Sequence, residues 1–133
     1  MTYLSGENLV AGYGGADILH GCSIDVGEGE IAVIVGPNGS GKSTAMKAIF
    51  GMLKLKSGNV KIKGEDITSL SVFERVKKGM AFVPQTNNVF TSLTVEENLE
   101  MGAFLQQDDF SSTMEDVYAL FPVLKDKRKQ EAG

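Results

Sequence analysis

Gly36-Pro-Asn-Gly-Ser-Gly-Lys-Ser-Thr44 is the most specific motif in this chain of 133 residues. It satisfies the pattern G-x-x-x-x-G-K-[ST], which describes a glycine-rich loop that leads into a helix. Gly36, Gly39 and Gly41 allow the backbone N–H groups of the loop to turn inward around an anion. The motif therefore predicts a phosphate-binding loop.

The segments on either side of the motif have the periodicity that such a loop requires. Glu30–Val35 is an apolar, largely β-branched run, which is typical of a strand buried on both faces. In Lys42–Leu53, apolar residues recur at helical spacing, and Gly51 makes the end of this helix ragged. A strand, a loop and a helix in this order indicate an α/β fold. The alternative is an ordinary glycine-rich turn between a strand and a helix, with a lysine at the surface.

The residue types at the end of the loop indicate which anion it binds. The helix that opens near Lys42 presents unsatisfied N–H groups and the positive end of its dipole. The Lys42 ammonium can reach the β- and γ-phosphates, Ser43 offers a hydroxyl to Mg²⁺, and Thr44 lies on the α-phosphate side. Asn38 and Ser40 either add contacts to the ligand or are plain turn residues. We therefore expect a site for a nucleoside triphosphate with Mg²⁺.

The remaining sequence changes from strand-rich to helical. Runs bounded by Gly, Asn or Asp predict strands at Asn8–Ala11, Ile18–Leu19 with Ser23–Val26, Val60–Lys63 and Met80–Val83. Apolar periodicity and capping residues predict helices at Ser71–Lys78, from Thr94 onward and at Ser111–Leu124, followed by a charged tail, Lys125–Gly133. The order is β-rich, then mixed α/β, then all-helical.

Composition and charge exclude several classes of protein. With 42% apolar and 23% charged residues, the chain has the composition of an ordinary globular domain. The net charge of −4 argues against a general nucleic-acid-binding protein. The longest apolar run, Ile31–Val35, is far too short to span a membrane, so we expect no direct membrane insertion. His20 is expected at the surface or in a turn, and Cys22 is expected to be a small core residue.

Beyond the loop, residues 8–133 resemble the first half of an ATP-binding subunit of an ABC transporter. The resemblance rests on Pro-Asn-Gly inside the loop, on Gly12-Tyr-Gly-Gly15, on Leu55-Lys-Ser-Gly58 followed by Val60–Gly64 and Asp66, and on Phe82-Val-Pro-Gln85. It implies a P-loop NTPase of the ABC ATPase type. A β-rich subdomain with a partial RecA-like core would occupy roughly residues 1–93, and the start of a helical subdomain would occupy roughly residues 94–133.

The same resemblance implies roles for two further side chains. Tyr13 occupies the position of the aromatic residue that stacks on adenine in this family. Gln85 matches the glutamine of the family's Q-loop, which touches Mg²⁺ or the attacking water and links the site to the transmembrane partner. The residues alone leave open an ordinary strand-end tyrosine and a solvated turn glutamine. With the family match, Lys42 and Gln85 are the candidate catalytic residues, and Ser43 and Gln85 are the candidate Mg²⁺ ligands.

Within the family, Thr91–Ala103 resembles the ATP-binding subunits of importers of branched-chain amino acids. The shared text is Leu-Thr-Val-Glu-Glu-Asn-Leu followed by a Met-Gly pair. Gln85-Thr-Asn departs from the Glu-Gly-Arg that many members of this subgroup carry after the proline, and importers of urea and amides are similar. A non-transport ABC protein that acts on ribosomes or DNA is a further alternative, against which the acidic balance argues.

An importer subunit implies partners and a location. The partners are transmembrane permease subunits and a second ATP-binding subunit, in a homo- or heterodimer, and the location is the cytoplasmic face of the cell membrane. After Pro84 the sequence contains neither Leu-Ser-Gly-Gly nor an apolar run that ends in Asp-Glu, which the family uses for hydrolysis. The resemblance therefore implies a longer subunit in which these motifs follow Gly133. The complete subunit is expected to be an ATPase, and the present chain alone is expected to bind nucleotide without hydrolysing it.

Overall fold

An antiparallel sheet of four strands is the framework of the first of two units, Met1–Phe82 and Val83–Gly133. The structure is a computed structural model and describes residues 1–104 and 108–133. Strands β1 (Thr2–Gly12) and β2 (Asp17–Gly27) pair along their length, and β1 also pairs with β3 (Ser57–Ile62). A short β4 (Glu65–Asp66) completes the order β2-β1-β3-β4. The strands predicted to begin at Asn8, Ile18 and Val60 are confirmed as parts of these elements.

Two helices of this unit have bounds that local capping explains. α1 (Lys42–Phe50) stops at Gly51, whose φ of 90° lies in the left-handed region that favours glycine. α2 (Val72–Lys77) begins with a capping box, in which Ser71 Oγ accepts from the Glu74 amide and the Glu74 carboxylate accepts from the Ser71 amide. Both predicted helices are confirmed, although α1 ends at Phe50 and not at Leu53.

The core of the first unit is built from the sheet and α1. Leu9, Val60 and Ile67 are its largest fully buried side chains. The other buried members are Ala11, Leu19, Ala45, Ala48, Ile49 and Ile62. Burying a side chain such as Leu9 contributes about 1.5–3 kcal/mol, so this cluster holds α1 firmly against the sheet.

Glu30–Val35, which we expected to be a strand buried on both faces, is not a strand. It pairs with none of the described strands, and Ile31, Val33 and Val35 are 92%, 77% and 83% exposed. Apolar β-branched sequence indicates a need for burial, whereas a central strand also needs a hydrogen-bonded neighbour on each side. The described residues provide no such neighbour.

Met80–Val83 departs from its prediction in the same way. The segment lies outside the sheet, and Val83 is exposed. Two other residues of the segment do pack: the Phe82 ring stacks on Phe50, with centroids 5.5 Å apart, and Met80 lies against the core. The segment is therefore held by side chains of the first unit and not by a strand ladder.

The second unit contains helices α3 (Val95–Gly102), α4 (Ser111–Leu120) and α5 (Pro122–Asp126) in its described part. The predicted capping box at Thr94 is confirmed. Thr94 Oγ1 accepts from the Glu97 amide at 3.1 Å, and Glu97 Oε2 accepts from the Thr94 amide at 2.8 Å.

The helix predicted over Ser111–Leu124 is interrupted. Phe121 has φ −130° and ψ 76°, outside the helical region. It precedes Pro122, whose ring disfavours helical geometry in the residue before it and which has no N–H to donate. The predicted tail, Lys125–Gly133, is also partly ordered, because it begins inside α5 and Glu131 forms an antiparallel bridge with Thr94.

Asn98 fixes the path of the chain into α3. Its side-chain amide donates to Phe90 O and to Thr94 O, both at 2.9 Å, and its Oδ1 accepts from the Phe90 amide at 2.7 Å. No residue of α3 is buried. Polar side-chain contacts with the backbone therefore take over the ordering that an apolar core provides in the first unit.

Candidate functional site

The loop at the start of α1 surrounds an open cavity of about 230 Å³. The lining residues are Ile18, Asn38, Gly39, Gly41, Lys42, Ser43 and Thr44. All of them except Ile18 belong to the predicted phosphate-binding loop. The structure therefore brings together most of the residues that the motif assigned to one ligand.

The backbone at the N-terminus of α1 is arranged without side-chain capping. Gly39 and Gly41 have φ of 83° and 95°, a conformation that residues with a Cβ rarely adopt. Gly41 is the N-cap, and no side chain accepts a hydrogen bond from the first amides of α1. These N–H groups, at the positive end of the helix, are available to an anion.

Close approach of other atoms also explains the glycines at positions 41 and 36. A Cβ on Gly41 would lie 3.2 Å from Leu19 Cδ2, which belongs to the core. A Cβ on Gly36 would lie 2.7 Å from Ser40 Oγ. The loop thus packs against β2 at Gly41 and against itself at Gly36, and these contacts keep the cavity walls in place.

Lys42 is engaged with the loop itself. Its ammonium donates to Gly36 O and, at 2.9 Å, to Pro37 O. These carbonyls belong to exposed residues, so the lysine folds back across the loop and not into the core. A phosphate that takes the ammonium must replace these two acceptors.

The two hydroxyl residues that follow differ in accessibility. Ser43 is exposed and lines the cavity, so its hydroxyl is available to a ligand or metal ion. Thr44 lines the cavity but is only 6% exposed. Only a small part of Thr44 is therefore accessible to a ligand in the cavity.

Tyr13 lies just after β1 and is 54% exposed. Lys47 Nζ lies 5.9 Å from the centroid of its ring. Lys47 belongs to α1, so a cation–π contact joins the tyrosine to the helix that carries the loop. Sequence reasoning did not single out Lys47, and the only signal was its position on α1 one turn after Lys42.

Gln85 belongs to the second unit, where it is exposed in a bend after Pro84. The structure does not test its predicted role, which stays a prediction. His20 is exposed on β2, as expected, and Cys22 is half-buried against the core, close to the expectation of a small core residue.

Arg75 is a second residue that sequence reasoning missed, after Lys47. It is only 3% exposed, and burial lowers the pKa of its guanidinium, which remains charged at neutral pH. Its N–H groups donate to backbone carbonyls, two of them in the last turn of α1. An arginine in a helical sequence with several charged neighbours carries no sign of this burial.

Among residues 1–104 and 108–133, no helix combines the length and the apolar character needed to cross a lipid bilayer.

The chain is similar to proteins of known type. It is 43% identical over 126 residues to the probable branched-chain amino acid transport ATP-binding protein LivF of Archaeoglobus fulgidus, which covers 94% of this chain and 53% of that protein. It is 40% identical over 131 residues to the high-affinity branched-chain amino acid transport ATP-binding protein BraG of Pseudomonas aeruginosa. This match covers 98% of the present chain and 56% of BraG. The chain thus spans about half the length of the curated relatives it matches.

The fold agrees with this similarity. A crystal structure of a nucleotide-free ATP-binding cassette from an ABC transporter superposes with a TM-score of 0.81 at 31% identity, over 100% of this chain and 58% of that one. The family model described as ABC transporter matches residues 19–132, which include the loop, α1 and the second unit up to Ala132. Since this match extends over well more than half of its residues, the chain belongs to the ABC transporter family.

Proposed function

We propose that this chain binds ATP at Gly36–Thr44 and belongs to the energy-coupling subunit of an ABC importer for branched-chain amino acids. The observation that carries the binding proposal is the cavity of about 230 Å³ at the uncapped N-terminus of α1. It combines unpaired N–H groups, a lysine ammonium and a serine hydroxyl in one place. These are the groups that a triphosphate requires.

The residues around the cavity fit the phosphate part of ATP. The amides from Gly39 to Thr44 would hold phosphate oxygens, and Lys42 would hold the β- and γ-phosphates as a point charge. Asn38 and Ser40 would add contacts at the rim. Tyr13, whose ring is half exposed, would stack on adenine.

Mg²⁺ is proposed only together with the nucleotide. Ser43 is the one residue of the loop that offers an exposed hydroxyl next to Lys42, and Gln85 would add a carbonyl oxygen. Two neutral oxygens are far too few for tight Mg²⁺ binding, so phosphate oxygens must complete the set. When bound, Mg²⁺ supplies positive charge against the phosphates, and Gln85 would orient the attacking water.

Hydrolysis, the substrate and the protein partners are proposed for the whole protein. Its ATP-binding part would pair with a second such subunit and act on transmembrane permease subunits from the cytoplasmic side. After Pro84 the present sequence has no Leu-Ser-Gly-Gly and no apolar run that ends in Asp-Glu. Positioning of phosphates without a base leaves most of the barrier to hydrolysis in place.

Amide chemical shifts test the binding site directly. Adding ATP with Mg²⁺ to the labelled chain should shift the amides of Gly39–Thr44, whereas adenosine should leave them in place. The amides of β3, on the far side of β1 from β2, serve as the internal control. Shifts spread evenly over both sets would contradict binding at the loop.

A phosphate-release assay tests the division between binding and hydrolysis. The present chain should release no phosphate above background, and the whole protein should release it. Equal turnover in the two would show that the catalytic groups had been assigned to the wrong part of the protein.

The substrate proposal rests on what LivF and BraG are named for, together with the Thr91–Ala103 text. Uptake of leucine, in cells that depend on the whole protein, is the deciding measurement. Urea and short amides are the competing substrates. Uptake of urea without leucine would replace this proposal with the urea and amide alternative, and loss of neither would favour a non-transport role.

A further inference from the structure

Arg75 reaches from α2 to the C-terminal end of the helix whose N-terminal end carries the proposed phosphate site. Its Nη1 donates to Ile49 O at 2.6 Å and to Ala48 O at 3.4 Å. Both carbonyls lie in the last turn of α1; Ala48 O also accepts from the Gly51 amide at 3.2 Å, and the shorter bond from Arg75 goes to Ile49 O. A buried cation therefore sits at the negative end of α1.

The same guanidinium is anchored on its other side. Its Nε donates to Leu70 O at 3.0 Å and its Nη2 to Thr68 O at 2.9 Å. Thr68 in turn accepts from the amide of the fully buried Val60 through its Oγ1, at 2.9 Å. Arg75 thus connects the end of α1 to β3 through two hydrogen bonds, both of which involve Thr68.

The charge has no acidic partner among the described residues, since none of their ion pairs involves Arg75. Carbonyl dipoles alone compensate it. The planar guanidinium suits this position because its fixed fork directs several N–H groups to carbonyls on different segments at once, and an ammonium has fewer donors and a more compact charge.

Gly51 supplies an independent indication that the end of α1 is shaped around the guanidinium. A Cβ at Gly51 would lie 2.8 Å from Arg75 Nε and 3.0 Å from Arg75 Cζ. The glycine is needed for its φ of 90° and also to admit the arginine. The start of α1, by contrast, has no side-chain cap.

We propose that Arg75 is a positioning residue for phosphate binding: it holds α1 from its C-terminal end, so that the amides at the N-terminal end stay aimed at the ligand. The inference rests on the proposed ATP site. A helix of nine residues moves as one rod, so loosening one end tilts the groups at the other. The base, held by Tyr13, depends on this alignment much less than the phosphates do.

Affinities for ATP and for adenosine, measured by calorimetry on the same chain, test this role. Arg75→Met should weaken ATP by about five-fold or more while leaving adenosine within about two-fold. Arg75→Lys keeps the charge and one or two of the hydrogen bonds, and it should recover part of the loss. Lys78→Met is the matched control, because Lys78 follows α2 and pairs with Glu65 at the surface; it should change neither affinity.

Equal losses for ATP and adenosine in Arg75→Met, or no recovery in Arg75→Lys, would reduce Arg75 to a purely structural residue and overturn the inference. If circular dichroism shows that Arg75→Met does not fold, the ratio of ATP to adenosine affinity in Arg75→Lys decides by the same criterion. A wild-type chain that does not prefer ATP to adenosine removes the proposed function itself. A wild-type preference that both Arg75 variants retain removes only the positioning role.

Discussion

Replacing Lys42 by methionine tests the central contact of the proposed ATP site. Methionine keeps most of the length of the side chain and removes its charge. In the ligand-free loop the ammonium donates to Gly36 O and Pro37 O. ATP therefore does not gain a free lysine; it exchanges two carbonyl acceptors for phosphate oxygens.

The size of the effect follows from this exchange. A hydrogen bond between a charged donor and a charged acceptor contributes about 1.5–3 kcal/mol, and giving up the exposed carbonyl contacts costs about 1 kcal/mol. The net loss in Lys42→Met is then about 0.5–2 kcal/mol, which is roughly a 2- to 30-fold weaker affinity for ATP. Since both carbonyls belong to exposed residues, water replaces the lysine, and the melting temperature should not change.

Calorimetric titration with ATP, ADP and adenosine is the assay. The loss should be largest for ATP, smaller for ADP and absent for adenosine, because only phosphates meet the ammonium. Lys54→Met removes an exposed charge close to the other end of α1 and is the matched control. Equal losses for all three ligands, or an equal effect of Lys54→Met, would refute the placement of the phosphates at Lys42.

Three further outcomes can be measured on the same chain. Tyr13→Ala should weaken ATP by about 1–2 kcal/mol and Tyr13→Phe should have almost no effect, because stacking uses the ring; a large effect of the phenylalanine variant in the same titration would point to a hydrogen bond of the hydroxyl. The exposed apolar run that includes Val33 and Val35 should drive self-association, so a Val33→Lys, Val35→Lys double variant should sediment as a smaller species than the wild type, and identical sedimentation would contradict this. The side-chain hydroxyl of Ser111, and to a smaller extent its backbone amide, donate to the Asp109 carboxylate and lower the pKa of Asp109 from its ordinary value of 3.8. The stabilisation that the ionised Asp109 gives to α4 is therefore present above pH 3.8 and is lost as the pH falls through the lowered pKa. In Ser111→Ala, a titration of this carboxyl group by NMR should show the pKa raised towards its ordinary value.

The features that the sequence predicted well depend on neighbours along the chain. The capping box at Thr94 needs only a hydroxyl and a glutamate three residues later, and the helix predicted from Ser71 begins with the same device. The helix from Lys42 was also predicted, although it ends at Phe50 before Gly51 and not at Leu53. The glycine-rich turn that leads into α1 belongs to the same class, because its glycines lie within one short stretch; its binding of phosphate stays a prediction.

The features that the sequence did not predict depend on distant partners or on competing local rules. Glu30–Val35 has the composition of a central strand, but the described residues offer it no neighbouring strand. The local composition therefore indicated a preference for strand that has no pairing partner here. The apolar spacing across Pro122 favoured one helix over two. The proline instead ends α4 at Leu120 and begins α5. The contact of Lys47 with Tyr13 requires that α1 pack beside the end of β1, which no local pattern encodes.

Arg75 shows why a motif defines the chemistry of a site more completely than it defines its strength. Gly36–Thr44 contains every group that would touch a phosphate, and all of them could be named from the sequence. The aim of those groups depends on α1, and α1 is held by its buried face and by a guanidinium at its opposite end. Chains with the same loop and different contacts at the end of α1 should therefore bind the same ligand with different affinity. An exchange of Arg75 and Gly51 between such chains should then change the affinity for ATP while the loop sequence stays constant, and affinities that follow only the loop sequence would show that α1 is positioned by its buried face alone.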